Sequence, residues 1–313
     1  MALNTEQNIL LLVGGVGGAK LALGMQAILP PERLRIVVNT GDDFWHYGLK
    51  ICPDLDTVLY TLSGRVERSQ GWGVANDSTT ALEALRAYGE DAWFRLGDKD
   101  IATHLLRTDR LRRGWTLSQV AAHLAAQMGI SLQVMPMSDD DVPTLVETVE
   151  HGWLEFQEYF VRYRWQPTLR SLRYQGAETA RLSQAVAEAL AWASAVVIAP
   201  SNPWLSIAPM LHMTAFRQAL LARELPRVAV TPIVQGQAIK GPTAKLMREL
   251  GLEPSPQAVR DYYGALINGF VYDLRDAQVQ PHDKRSAAFD TMMVDNNAKV
   301  RLAQDILSWL AEW

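Results

Sequence analysis

The chain has one cysteine, Cys52, in 313 residues. An intramolecular disulfide is excluded, a cysteine-ligated metal centre lacks its ligands, and the composition fits a reducing cytoplasm. Net charge is small, at -4, with basic and acidic residues interspersed. The basic stripe that grips a nucleic-acid backbone is missing, so nucleic acid is set aside as a partner. No apolar run approaches the roughly 18 to 20 residues that a membrane span requires. Met1 to Gln7 lacks the basic start of a signal peptide. A soluble, cytoplasmic protein with no membrane partner is expected. Internal repeats and low-complexity segments are also missing, and no second histidine stands at ligand spacing from His104.

Against these absences, 48% of the residues are hydrophobic, enough for a full core in a chain of this length. Ile9 to Val13 is a short apolar run closed by glycines, and Leu21 to Ile28 then carries helical spacing. This predicts a buried strand, a glycine turn and a helix. Leu34 to Val38, Ala195 to Ala199 and Arg227 to Val230 repeat the strand signal, and each ends in polar turn residues. Ligands of open parallel sheets bind beyond the carboxyl ends of the strands, so these ends point to one crevice. The fold class expected is α/β, a Rossmann-like parallel sheet with helices on both faces and an inserted α+β lobe over the crevice. Residues 1–53 and 167–313 would form the nucleotide-binding core. The lobe, 54–166, would hold helices at Thr79 to Tyr88, Lys99 to Arg107 and Leu117 to Met128, a strand at Leu132 to Pro136, and a hairpin of Leu145 to Glu150 and Trp153 to Val161 around His151-Gly152.

The turn Gly14-Gly15-Val16-Gly17-Gly18-Ala19-Lys20 can bring backbone amides to a phosphate at the positive end of a helix. It matches neither common fingerprint: Ala19 and Leu21 break a Walker A loop, and Lys20 stands where the dinucleotide pattern needs glycine. The alternative is a tight turn that packs helix against strand. Asp42-Asp43 and the pair Asp54 and Asp56 suit Mg²⁺ held with phosphate oxygens, or else capping of a helix start. Arg95 beside Gly97 is the best candidate to meet a polar substrate, and His104 reads as a hydrogen-bonding lid residue. Ser201-Asn202, with Ser206, could hold phosphate oxygens or cap a turn. Lys240 lies on a flexible loop, and for Lys99 and Arg107 a solvated helix face and a functional role weigh equally.

Together with Pro53-Asp54-Leu55-Asp56-Thr57 and Tyr60, Leu96-Gly97-Asp98 with Asp100 and His104, Pro136 to Asp140, Phe156-Gln157, Pro200 to Pro203 with Ser206-Ile207, and Lys240-Gly241-Pro242, these motifs run in a known order. The chain resembles the 2-phospho-L-lactate transferase, or CofD, family of deazaflavin coenzyme biosynthesis over most of its length. The resemblance implies a donor in which a three-carbon acid (lactate, enolpyruvate or glycerate) is joined through a diphosphate to guanosine. The primary hydroxyl of the deazaflavin Fo would attack the distal phosphorus and release GMP. It implies that Asp56, Arg95, Asp98 and His104 hold Fo within the inserted lobe, with arginine where the family often has lysine. Gly15, Val16, Gly17, Gly18, Lys20, Ser201, Asn202, Ser206, Lys240 and Gly241 would hold the nucleotide. Asp42, Asp43 and Asp56 would serve Mg²⁺, and Asp43 and Asp56 the chemistry. A homodimer is implied as well. Asp56→Ala is expected to abolish transfer with the fold intact. Two rivals stand beside this reading: a non-catalytic nucleotide-sugar-binding relative of the same fold, and a nicotinamide dehydrogenase.

Overall fold

The structure, a computed structural model, describes residues 7–276 and 285–313. Met1 to Glu6, part of the segment compared with signal peptides, lie outside the described residues. The chain opens with β1 (Ile9–Val13), α1 (Gly15–Gln26) and β2 (Leu34–Val38), followed by the hairpin β3 (Phe44–His46) and β4 (Leu49–Ile51). Next come α2 (Pro53–Leu62), α3 (Thr80–Ala87), α4 (Asp98–Arg112), α5 (Leu117–Gln127) and β5 (Gln133–Pro136). A small antiparallel sheet of β6 (Thr144–Thr148), β7 (Gly152–Glu155) and β8 (Leu169–Tyr174) leads into α6 (Gln184–Trp192) and β9 (Ala195–Ile198). The remainder is α7 (Ala208–His212), α8 (Thr214–Leu221), β10 (Arg227–Val230), the short pair β11 (Ile233–Val234) and β12 (Gln237–Ala238), α9 (Thr243–Glu249), α10 (Pro256–Tyr263), β13 (Gly269–Asp273), β14 (Ser286–Phe289) and α11 (Asn296–Leu310).

Seven strands form one parallel sheet in the order β14-β13-β10-β9-β1-β2-β5. Both faces are covered, which is why the strands read as unbroken apolar runs. Ile9, Leu11 and Val13 pack with α1, α2, α5 and α11. Leu10 and Leu12, one step along the pleat, pack on the other face with α6, α7 and α8. The α/β class with helices on both faces is thus what the structure has. From β1 the chain builds outward through β2 to β5, then returns to β9 on the other side of β1. The carboxyl ends of β1 and β9 therefore flank the switch point where such folds bind ligands.

The boundaries expected for the lobe need correction. The strand at Gln133–Pro136 is the edge of the main sheet, paired with β2 through Arg35↔Gln133 to Val38↔Pro136. Helices α2 and α5 share the core beneath α1. What remains of residues 54–166 outside that core is the 64–79 segment with α3 and α4, and the β6–β7 arm of the small sheet. The second hairpin strand stops at Glu155, and a helical turn follows where strand was expected to run to Val161. No described helix is long and apolar enough to cross a membrane.

Candidate functional site

The expected helix start at Leu21 is six residues too late. Helix α1 begins at Gly15, so the glycines form its first turn and Gly14 alone makes the bend. Gly15 sits at φ 62°, a conformation costly for any residue with a side chain. A Cβ built on Gly17 would lie 2.3 Å from the Pro200 carbonyl oxygen. Close packing of α1 against the end of β9 thus requires glycine at 17, as the alternative reading of the turn supposed. Gly17→Ala is expected to lower stability by about 3 kcal/mol, because backbone stands on both sides of the clash. An unchanged melting temperature would contradict this packing.

Ser201 and Asn202, expected on the nucleotide, are occupied in holding the two strand ends together. The Ser201 hydroxyl donates to the Gly14 carbonyl at 2.6 Å and accepts the Gly14 amide at 3.2 Å, fully buried. Asn202 Oδ1 accepts the Trp204 and Leu205 amides, and its Nδ2 donates to Thr243 Oγ1. Both side chains serve the turn-capping alternative, because the same groups that bind phosphate also satisfy a bend. Ser206 is half-buried with its backbone against Gly14.

The cations of the crevice do converge. Lys240 Nζ donates to the Gln70 carbonyl. Burial, helped by Lys20, pulls the Lys240 pKa below its ordinary value. Lys299 is depressed in the same sense by burial, Lys20 and Arg68. Lys20 therefore lies near enough to Lys240 and Lys299 for their charges to be felt, on the helix whose first-turn amides have no partner within it. Gly71 lies against Val16 and near Lys240, so the 65–75 segment folds back over the turn. Gly241 lies exposed at φ 73° on the Lys240 loop.

Across the crevice, Asp42, Asp43 and Asp54 are buried together. Burial, then Asp54 and Asp43, push the Asp42 carboxyl well above its usual range. Gln157 Nε2 donates to it at 3.2 Å. Burial lifts Asp43 to about 7 despite Lys50, Cys52 and Arg107, and neither of its carboxylate oxygens has a hydrogen-bond partner. Asp54 is raised by burial to about 6, although Asn39 and the Gly15 amide favour its charged form. Asn39 Nδ2 donates to Asp54 Oδ2 at 2.9 Å. Asp54 thus joins the glycine turn to the acidic group. Lys50, buried itself, donates to Asp141 at 2.7 Å. Orphaned oxygens on closely spaced buried carboxylates are a fit for a hard divalent cation such as Mg²⁺, which would relieve their repulsion.

Asp56, expected to serve that cation, faces elsewhere. Both its oxygens are taken by Arg107, Nη1 at 3.0 Å and Nη2 closer still. Burial is the largest influence on Arg107 and opposes its charge, but Asp56, Cys52 and Asp43 together hold the guanidinium pKa above its ordinary value. His104 is 1% exposed and lies between Asp56 and Asp100, which corrects its reading as a lid residue. Asp56, Asp100 and His104 bring ligand atoms within 4.8 Å of one another, yet a metal there would meet the guanidinium directly. Asp98 is likewise committed. It accepts the Thr80 and Ala81 amides and the Ser78 hydroxyl, capping α3. The Ser78 and Ala81 bonds hold its carboxyl down at about 2. Arg95 is exposed and reaches only Gln70 Oε1, at 3.4 Å.

Lys50 and Lys299 were not singled out from sequence, and for Arg107 a solvated face and a functional role stood level. For Arg107 a signal existed: Asp100, His104 and Arg107 fall at i, i+4 and i+7, one face of a helix. Lys50 and Lys299 gave none, since each looks like an ordinary surface lysine.

The family model for "2-phospho-L-lactate transferase CofD" matches residues 9–306. A phosphoenolpyruvate transferase of Streptomyces griseus is 38% identical, over 97% of this chain and 98% of that protein. A 2-phospho-L-lactate transferase of Methanosarcina mazei is 36% identical, over 96% and 99%. A crystal structure of a UPF0052-family protein from Bacillus halodurans overlays with a TM-score of 0.57 at 15% identity, covering 86% of this chain and 81% of that one, a likeness of fold. With the family match spanning nearly the whole chain and identities of this size, the protein belongs to the 2-phospho-L-lactate transferase CofD family of transferases.

Proposed function

We propose that this crevice transfers a phospho-three-carbon-acid group from a guanosine diphosphate-linked donor to the primary hydroxyl of Fo, in coenzyme F420 biosynthesis. The observation that carries the reading is the junction of two opposite charge sets at one switch point: the α1 turn with Lys20 and Lys240, and the buried Asp42, Asp43 and Asp54, joined where the Gly15 amide meets Asp54. The hydroxyl oxygen forms a bond to the distal phosphorus. The bond from that phosphorus to the bridging oxygen breaks, GMP leaves with the oxygen, and the hydroxyl proton passes to a carboxylate. Such transfers depend on in-line placement and charge cancellation. First-turn amides of α1, Lys20 and Lys240 would steady the diphosphate, and Arg95 and Asp56 would place Fo. Asp42, Asp43 and Asp54 would hold Mg²⁺, which when bound neutralises charge on diphosphate oxygens.

Relatives bear the names of both lactate and enolpyruvate chemistry, so the test offers the choice. The protein is incubated with Fo, Mg²⁺ and, separately, the lactyl, enolpyruvyl and glyceryl donors, and products are weighed by mass spectrometry. A mass of Fo plus the phospho-acid, with one GMP per product, is expected from at least one donor; no product from any of the three rejects the reading. We place the enzyme in the cytoplasm as a homodimer, as the resemblance implies, and sedimentation tests the dimer.

The two half-sites separate by mutation. Lys240→Ala is expected to weaken GDP binding about tenfold or more, the scale of one charge-assisted contact. Arg95→Ala should weaken Fo binding by a similar factor and leave GDP nearly unchanged. Equal losses of both ligands in either variant, measured by titration calorimetry, would reject the assignment.

A further inference from the structure

We infer that Arg107 is a positioning residue for the acceptor side of the crevice: its guanidinium fixes the Asp56 carboxylate and dictates which nitrogen of His104 carries the proton. The inference rests on the reading above that Asp56 meets the acceptor. Arg107 is entirely buried on α4, and its Nη1 lies 3.0 Å from Asp56 Oδ2, 3.2 Å from the Lys50 carbonyl and 3.1 Å from His104 Nδ1. A guanidinium only donates. A hydrogen on Nδ1 would therefore point at another donor, so Nδ1 is the acceptor and the imidazole proton sits on Nε2. Nε2 lies 3.3 Å from Asp100 Oδ2, close enough for charge to matter but without the geometry of a hydrogen bond, and the other Asp100 oxygen accepts the Tyr60 hydroxyl at 2.7 Å. The 3.6 Å approach of His104 Nδ1 to Asp56 is then a contact of two acceptors, and the Arg107 guanidinium is the nearest group that favours the Asp56 charge.

Fold stability is a poor explanation for this arrangement. A buried ion pair is on average no better than packed apolar side chains of equal volume. Arg107 also leaves its Nε without a partner, buried, an arrangement that sacrifices a hydrogen bond to aim both terminal nitrogens at one carboxylate. The planar fork is the property lysine lacks. What the fork supplies is a carboxylate held in one orientation, next to the acidic group that faces the diphosphate.

Two measurements test this. Nitrogen-15 spectra of the histidine side chains in the intact protein, with His104→Gln used for assignment, should show His104 with an unprotonated Nδ1 and a protonated Nε2. A proton on Nδ1 overturns the inference, whether or not any variant folds. Arg107→Lys keeps the charge and loses the fork. Its kcat for transfer should fall about tenfold or more, because misorientation at an attacking group costs rate, while GDP affinity stays within about twofold. A kcat within about twofold of the parent also overturns the positioning role. If the parent protein transfers nothing from any donor, the proposed function fails, and the histidine spectrum still decides the tautomer.

Discussion

Asp43→Asn is expected to lower turnover by about 10²- to 10³-fold and at the same time to raise the melting temperature at neutral pH. The activity loss is the scale seen when one preorganised electrostatic group is removed from a reacting centre. The stability gain follows from linkage. Asp43 titrates at about 7 in the folded protein against an ordinary value of 3.8, chiefly because burial disfavours its charge. Between those values the folded state binds a proton that the unfolded state has released, so stability falls as pH rises. The penalty is absent below 3.8, grows through the interval and is complete above about 7. Its upper limit is about 4 kcal/mol for a shift of roughly three units. Asparagine never ionises, so the gain over the parent should be small near pH 4 and largest at pH 8 and above. Asp42 and Asp54 are raised in the same direction, which steepens the parent's decline. Mg²⁺ should close the gap by stabilising the parent far more than the variant. Melting curves from pH 4 to 8, with and without Mg²⁺, read all of this; a variant less stable than the parent at pH 8 would contradict it. Loss of function with gain of stability at one residue is what a charged group held for chemistry produces.

How much of this was legible in the sequence depends on what the residue types had to say. Strands buried on both faces announce themselves as apolar runs, so β1, β2, β9 and β10 were found, and their polar ends located the crevice. Helix α1 was placed six residues late because glycine is a poor helix former; contact with Pro200 overrides that preference, and propensity carries no word of it. The strand at Gln133–Pro136 was assigned to the lobe because its pairing with β2 is a long-range fact that local periodicity does not contain. Within the site, Asp42 and Asp43 are buried beside Asp54, and Lys20 is near enough to Lys240 to lower its pKa. Ser201, Asn202 and Asp98 do not act as expected, since a hydroxyl, an amide or a carboxylate can cap a backbone or bind a ligand with equal competence. The direction of the group decides between them, and direction belongs to the fold. For Arg107 the solvated face of a helix and a functional role stood level, because a charge on a helix usually faces water and burial belongs to the fold.

Asp56→Ala is the replacement for which the structure changes the expected result most. Sequence alone suggested lost transfer with an intact fold. With Asp56 gone, Arg107 keeps its charge in a fully buried position, facing a cavity and the Lys50 carbonyl. Stranding one member of a buried pair costs about 3–5 kcal/mol, a large share of the roughly 5–15 kcal/mol that holds a typical domain together. The variant should therefore lose both turnover and stability, and denaturant unfolding should show an earlier midpoint with an unchanged slope. Separating the two losses takes a second change. In Asp56→Leu combined with Arg107→Met the charge is removed from both partners, and stability should return most of the way to the parent's, as when apolar side chains replace other buried ion pairs. Turnover should not return, because the carboxylate that meets Fo is still missing. A double variant that regained turnover with its stability would show that Asp56 acts only through the fold, and the acceptor would have to be placed by Arg95 and other neighbours. A double variant as unstable as Asp56→Ala would show instead that Arg107 and Asp56 are tied to His104 and Lys50 too tightly to be exchanged as a pair.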